Sequence, residues 1–324
     1  MKKLFFILVF LSGTFYAQSQ SIAAYINFRE QLMVFDDGNT KMLEPLPPQS
    51  YKVGPDYLAY IDNVSNLKVY YQGEVTILSP GVVLHYWAGD DYLVFELYQQ
   101  IKVWHKGKLT NLGNNVTAFL ASDSIVAFFD SNYKNFHIYY HNQEFDLGDG
   151  LVQTPISDFK IGNNIFAYID KYRMTFSAFY NEGFYDLSSV VREVDFKVDA
   201  DIVAYVDDQS NTFKAFFQGN IFDLETLPPK HYKVGHGMVA YVNQNDEFVV
   251  FYNGKKHDLL NYSPESYDIK DSLIIWNNQG FLNLFYGGEV MEVERYIPAN
   301  AAMDWGTYSY LTENLQIDAV MHGV

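Results

Sequence analysis

The chain is 324 residues long, 18% aromatic and 48% hydrophobic, with 22 basic against 39 acidic residues, a formal charge of −17 and no cysteine. A surface this acidic repels phosphate backbones and anionic membranes, which argues against nucleic acid as a partner. The absence of cysteine excludes disulfides and thiol chemistry, so the fold rests on its core, for which roughly 300 residues are ample.

Residues 1–19 begin with Lys2 and Lys3, continue through the apolar run from Leu4 to Leu11, and reach a small-residue site at Ala17-Gln18-Ser19. This order predicts a secretory signal peptide cleaved near Gln20, too short and too weakly flanked for a membrane span. No later apolar run reaches the roughly eighteen residues that a membrane helix needs. The expectation for 20–324 is therefore one exported, soluble domain. Periplasm, cell surface and medium all fit such a leader.

From Ile22 onward one unit recurs, and it is clearest at 203–238, VAYVDDQSNTFKAFFQGNIFDLETLPPKHYKVGHGM. Four short runs rich in β-branched and aromatic residues, Val203 to Val206, Phe213 to Phe217, Ile221 to Leu224 and His231 to Val234, read as strands. Turn formers separate them: Asp207 to Asn211, then Gln218-Gly219-Asn220, then Pro228-Pro229. The unit is a four-stranded antiparallel meander. Its first strand returns along the chain around Tyr25, Tyr60, Phe95, Phe128, Tyr168, Tyr205, Tyr241, Trp276 and Tyr310, a period of 33 to 40 residues. The segments Leu43-Glu44-Pro45-Leu46-Pro47-Pro48 and Leu224-Glu225-Thr226-Leu227-Pro228-Pro229 are close copies, 181 residues apart. An enlarged loop runs from Gly148 to Pro155. A repeat of this length that cannot bury both faces alone reads as a β-propeller blade, so the expected fold class is an all-β propeller of four-stranded antiparallel blades.

The repeat resembles propellers of the WD40 and TolB-like kind over nearly the whole chain, as an architecture. The Gly-His and Trp-Asp signatures of WD40 and the Ser-Pro-Asp-Gly turn of the TolB kind are absent. The resemblance implies an innermost strand a, then b and c, and an outermost strand d. Tyr232-Lys233-Val234 would then be innermost and Phe222-Asp223-Leu224 outermost. Eight a and eight d strands can be placed, against nine b and nine c. We expect eight blades: seven complete ones from Ser50 to about Glu294, and a closing blade shared by strands from 22–44 and about 300–320. A seven-bladed ring with a peripheral ribbon is the alternative.

Aligned a strands give four informative columns. The first is Ser50, His85, Ala118, Asp158, Asp195, His231, Ser266 and Asn300; the second is Tyr51, Tyr86, Phe119, Phe159, Phe196, Tyr232, Tyr267 and Ala301. The third is Lys52, Trp87, Leu120, Lys160, Lys197, Lys233, Asp268 and Ala302, and a fourth, apolar throughout, is Val53, Ala88, Ala121, Ile161, Val198, Val234, Ile269 and Met303. Alternation along a strand sends the second and fourth columns between blades and the first and third toward a central channel. The candidate binding residues at that channel mouth are Lys52, His85, Trp87, Asp158, Lys160, Asp195, Lys197, His231, Lys233 and Asp268. Like charges gathered there need compensation. Either Asp158, Asp195 and Asp268 neutralise the lysines in a rim network, or the lysines grip an anionic ligand or acidic side chain beside His231 and His85.

Asp62, Asp130, Asp170 and Asp207, with Asn27, Asn243 and Asn277, end the b strands, where a side chain caps the following turn. Neither Asp207 to Asn211 nor Asp130 to Asn132 has the spaced oxygens of a calcium loop, and no metal or cofactor is expected. The c strands carry aromatic pairs, Tyr70-Tyr71, Tyr139-Tyr140, Phe216-Phe217 and Phe251-Tyr252. Alternation predicts one ring inward and one outward, and outward rings could stack on sugars.

No Gly-x-Ser-x-Gly elbow, His-Glu-x-x-His helix or glycine-rich phosphate loop occurs. The expected function is that of an exported, non-catalytic protein-binding or scaffold module of the cell envelope or surface. Its partner would be an envelope or extracellular protein or an acidic polysaccharide, held on the d-to-a loops and b-to-c turns. A lectin-like propeller is the alternative. A two-carboxylate glycoside hydrolase using Asp158 and Asp195 on adjacent inner strands comes last.

Overall fold

A computed structural model describes residues 22–83, 85–132, 134–147, 156–190, 193–298, 301–304, 307–311 and 317–321. The expected signal peptide and the loop at 148–155 lie outside them. All regular structure among the described residues is β, in 34 strands. No helix there is long and apolar enough to cross a membrane.

Each repeat folds as its pattern dictates. The b strands Ile202–Val206 (IVAYV) and Met238–Val242 (MVAYV) are buried along almost their whole length, because sheets lie against both of their faces. Their continuous apolar runs supply both surfaces. The c and d strands Phe213–Phe217 and Asn220–Glu225 are joined by Gln218 and Gly219 with φ of 49° and 78°. Two positive φ values make the primed turn whose twist matches antiparallel strands, and glycine adopts it freely.

Seven sheets have four strands in the order a, b, c, d, with neighbours antiparallel throughout. They run from Ser50–Val53 to Glu289–Glu294. The remaining strands form two sheets of three. Ala23–Ile26, Leu32–Asp36 and Asn39–Glu44 supply b, c and d of the first; Ala301–Asp304, Thr307–Leu311 and Ile317–Met321 supply a, b and c of the last. The strand inventory is the expected one, eight each of a and d and nine each of b and c. The closing blade shared by the two ends is a correction: the terminal strands stay in separate sheets. Each terminal trio is a consecutive meander, and pairing strands that are neighbours in sequence costs less entropy than a pairing across the whole chain.

The chain divides into two compact units, Met1–Leu84 and His85–Val324. In the first, Leu32 and Val34 pack with Leu58, Tyr60 and Tyr70 of the following sheet. In the second, the core is a series of layers between successive sheets. Phe216 joins the layer containing Phe176, Phe196 and Tyr205, while Phe217 joins the next, with Tyr232, Tyr241 and Phe251. Both rings of this pair are buried, as are Tyr139 and Tyr140. This corrects the expected outward ring for these two pairs, while Tyr71 and Tyr252 of the other two are half-buried: alternation does point the rings oppositely, but each face meets another sheet. Burying such a ring contributes ~2–3 kcal/mol.

Turn capping is as expected. Asp207 Oδ1 accepts the N–H groups of Gln209 and Ser210 at 3.0 and 3.1 Å. Asn27, Asp62, Asp130, Asp170, Asn243 and Asn277 each accept backbone N–H bonds in their own b-to-c turns. The Leu-Glu-x-Leu-Pro-Pro copies also acquire a reason. Tyr60 Oη donates to Glu44 at 3.0 Å and Tyr241 Oη donates to Glu225 at 2.9 Å, both across 16 residues and from one sheet to the next.

Candidate functional site

Four a strands of the second unit, Ile156–Ile161, Phe196–Asp199, His231–Gly235 and Ser266–Lys270, lie side by side. Alternation along them is as the columns predict. Phe196 and Tyr232 are buried, while Lys160, Lys197, Lys233 and Asp268 are exposed. Each second-column ring rests on a c-strand phenylalanine of the preceding sheet: Phe196 on Phe176 with centroids 4.7 Å apart, Tyr232 on Phe213 at 4.9 Å, and Tyr267 on Phe248 at 4.9 Å.

The lysines use the backs of these anchored rings. Lys160 Nζ donates to the Phe196 carbonyl and lies 4.3 Å over the Phe196 ring. Lys197 Nζ donates to the Tyr232 carbonyl at 2.6 Å and lies 4.3 Å over that ring. Lys233 Nζ repeats the move on Tyr267, at 3.0 Å to the carbonyl and 5.4 Å to the ring, and adds an ion pair with Asp268 at 2.8 Å. The expected rim network of aspartates forms in part, with Asp268 on Lys233. Lys160 and Lys197 find their compensation in a carbonyl dipole and a ring quadrupole, because the next strand stands within reach of each side chain.

His231, Asp158 and Asp195 share this edge in different settings. His231 Nδ1 is 3.0 Å from Tyr267 Oη, and the two rings stack at 5.4 Å. Burial, then the charges of Lys197, Lys233 and Lys230, hold His231 below the usual imidazole value. Asp158 sits in a β-bulge with φ of 45°, its side chain exposed. Asp195 is exposed beside Tyr232, whose hydroxyl is pushed well up by burial and then by that carboxylate.

The remaining candidates lie elsewhere. Trp87 lies on the a strand Tyr86–Ala88 of another sheet and His85 immediately precedes that strand, both exposed, with the His85 carbonyl accepting from Glu96 N at 3.0 Å. Lys52 is on Ser50–Val53 in the first unit. There the expected burial of the second and fourth columns fails: Tyr51 and Val53 are 38% and 41% exposed. This is the single a strand described in its unit, so no second a strand of that unit lies against it.

The a-to-b turns at the other end of these strands form a second belt that the columns do not reveal. Asn164 N donates to the Ala200 carbonyl at 2.9 Å, His236 N to the Asp271 carbonyl at 2.6 Å, and Gly237 N to Asp201 Oδ1 at 2.9 Å. These bonds step from sheet to sheet. Burial is the main cause that raises the carboxyls of Asp199 and Asp201 above their ordinary value. The available signal was a glycine closing the a strand: a Cβ at Gly162 or Gly235 would stand 2.6 Å from the Ala200 or Asp271 carbonyl oxygen. Among the described residues no cluster of three or more His, Asp or Glu could hold a metal ion.

Solved structures with likeness to this chain are propellers of low identity. The CRINKLY WD40 ectodomain of the Arabidopsis thaliana receptor kinase ACR4 is 10% identical, over 73% of this chain and 93% of that one, with a TM-score of 0.35. Human WBSCR16 is 9% identical over 73% and 88%, with a TM-score of 0.37. Prp20p of Saccharomyces cerevisiae, described with binding properties toward Gsp1p and histones, is 9% identical over 62% and 71%, with a TM-score of 0.35. No curated protein matches the sequence. The family model described as a 10-bladed beta propeller domain matches residues 16–324, and the chain belongs to that family.

Proposed function

We propose that the protein is an exported, non-catalytic module that binds a protein partner of the cell envelope or surface along the edge of its sheets where the d-to-a loops and b-to-c turns emerge. One observation carries this reading. Every exposed large apolar side chain outside a strand, among the described residues, lies in one of those loops or turns. In the first unit these are Phe28, Leu46, Val64 and Val82; in the second they are Tyr98, Tyr172, Met174, Leu227, Tyr262 and Ile297. Phe28 and Tyr98 are 89% and 83% exposed. The c-to-d hairpins are polar, as in Gln72-Gly73, Lys106-Gly107, His141-Asn142 and Asn253-Gly254. Apolar groups exposed in the loops at the same end of each sheet, beside those on the outer strands, suit a contact surface.

The a strands begin at this same edge, so Lys160, Lys197, Lys233 and His231 are available there for acidic side chains of a partner. Asp158 and Asp195 both stand exposed, whereas an acid and base pair needs one carboxyl in a sheltered setting. Export rests on Lys2, Lys3 and the apolar run that follows.

The test is a pull-down from native envelope and medium extracts with the chain from Gln20 as bait. A Tyr98→Ser/Tyr172→Ser/Leu227→Ser variant and a hairpin control, Gln72→Ala/Lys106→Ala, run beside it, each checked by circular dichroism. A partner kept by the control and lost by the loop variant supports the reading. A partner kept by both places recognition elsewhere and overturns it.

A further inference from the structure

We infer that the groove between the sheets at 196–225 and 231–260 binds a neutral saccharide. This inference stands apart from the protein-binding reading. The groove has a volume of about 450 Å³ and is floored by Leu224, which is buried. That volume falls within the ~300–1,000 Å³ of small-molecule sites.

Its wall is charged but balanced. Lys214 and Lys256 supply two ammonium groups, and Asp223 and Glu225 supply two carboxylates. Lys214 is held by Asp207 at 2.9 Å, behind the groove, with Asp223 at 3.9 Å; Lys256 is held by Glu225 at 2.9 Å and the Leu224 carbonyl at 2.6 Å. Ser210 Oγ and Thr212 Oγ1 form a hydroxyl pair 2.6 Å apart at the rim. A cationic or anionic ligand meets opposed charges here and gains little net attraction. A hydroxyl group both donates and accepts, so a polyol can use the carboxylates and the ammonium groups together. The ion pairs fix Lys256 and Glu225 before a ligand arrives, which lowers the ordering cost of binding. No aromatic ring lines the groove, so affinity rests on hydrogen bonds and is expected at the ~millimolar level.

The test is a TROSY titration of the isotope-labelled chain with maltose, lactose and cellobiose. N-acetylneuraminic acid and glucosamine serve as charged comparators. Saturable shifts centred on the amides of Asp223, Leu224, Glu225 and Lys256 with a neutral disaccharide are the expected result. Asp223→Ala and Lys256→Met should each weaken that binding by at least about tenfold, as loss of a hydrogen bond to a charged group implies. Asp223 is highly exposed, so its variant leaves the core untouched. No saturable shift up to roughly 20 mM, equal binding by the variants, or preference for a charged sugar would each overturn the inference.

Discussion

The ammonium group of Lys197 donates a 2.6 Å hydrogen bond to the carbonyl of Tyr232 and stands 4.3 Å above the centre of that residue's ring. One side chain thereby ties the strand Phe196–Asp199 to His231–Gly235 of the next sheet. Lys197→Met keeps the aliphatic stem and deletes both contacts. Urea unfolding should show a loss of about 1–2 kcal/mol. Lys160→Met should cost as much, and Lys233→Met a similar amount, its weaker ring contact at 5.4 Å being offset by the exposed ion pair with Asp268 at 2.8 Å. Unchanged midpoints in all three variants would mean that the ladder adds nothing to stability.

His231 reports on the same lysines. Its imidazole is held below the usual value by burial first and by Lys197, Lys233 and Lys230 after it. Removing one of these charges, as in Lys197→Met or Lys233→Met, should move the His231 titration midpoint upward in ring-proton NMR spectra. A midpoint that stays in place would leave burial as the whole cause.

The paired copies of Leu-Glu-x-Leu-Pro-Pro make the same bond twice, so they should carry the same energy. A double-mutant cycle of Tyr241→Phe and Glu225→Gln should give a coupling of about 1 kcal/mol, and Tyr60→Phe with Glu44→Gln a similar value. Lys256 and Lys68 lie on the same carboxylates at 2.9 and 2.7 Å. Coupling at one site and none at the other would break the equivalence of the copies.

Asp199 and Asp201 should set an acid-side trend in stability. Their carboxyls are raised in the folded protein, chiefly by burial, so the native state binds protons more tightly than the unfolded chain. Stability from this source is present below the ordinary carboxylate value of 3.8 and is lost as pH rises through the raised one. Asp62 acts oppositely: its carboxyl is lowered to about 2, against a dominant burial effect, by Lys68 and by N–H donors, so its contribution is lost as pH falls from 3.8 toward that value. Asp199→Asn and Asp201→Asn should each raise the melting temperature at pH 7 and leave it nearly unchanged near pH 3.5. In Asp201→Asn the side-chain amide keeps an oxygen to accept from Gly237 N. Equal effects at both pH values would point to packing instead of charge.

The strands, their meander order and the caps of the b-to-c turns were legible in the sequence, because each depends on residues a few positions apart. Asp207 caps its turn through Gln209 and Ser210, two and three residues on. The inward and outward sides of His231–Gly235 follow from the period of two alone.

What lay beyond those few residues was decided by the tertiary structure. The acid expected to neutralise Lys197 is replaced by a carbonyl and a ring 35 residues away, which only the approach of the next sheet brings within reach. Phe217 is buried like Phe216 because a second sheet covers its face. The sheet-to-sheet turn belt and the groove beside Lys214 and Lys256 arise in the same way. The sequence by itself determined the blade, since backbone geometry and turn chemistry act locally; the neighbours of each blade, and hence its sites, depend on contacts a full repeat apart that no local pattern encodes.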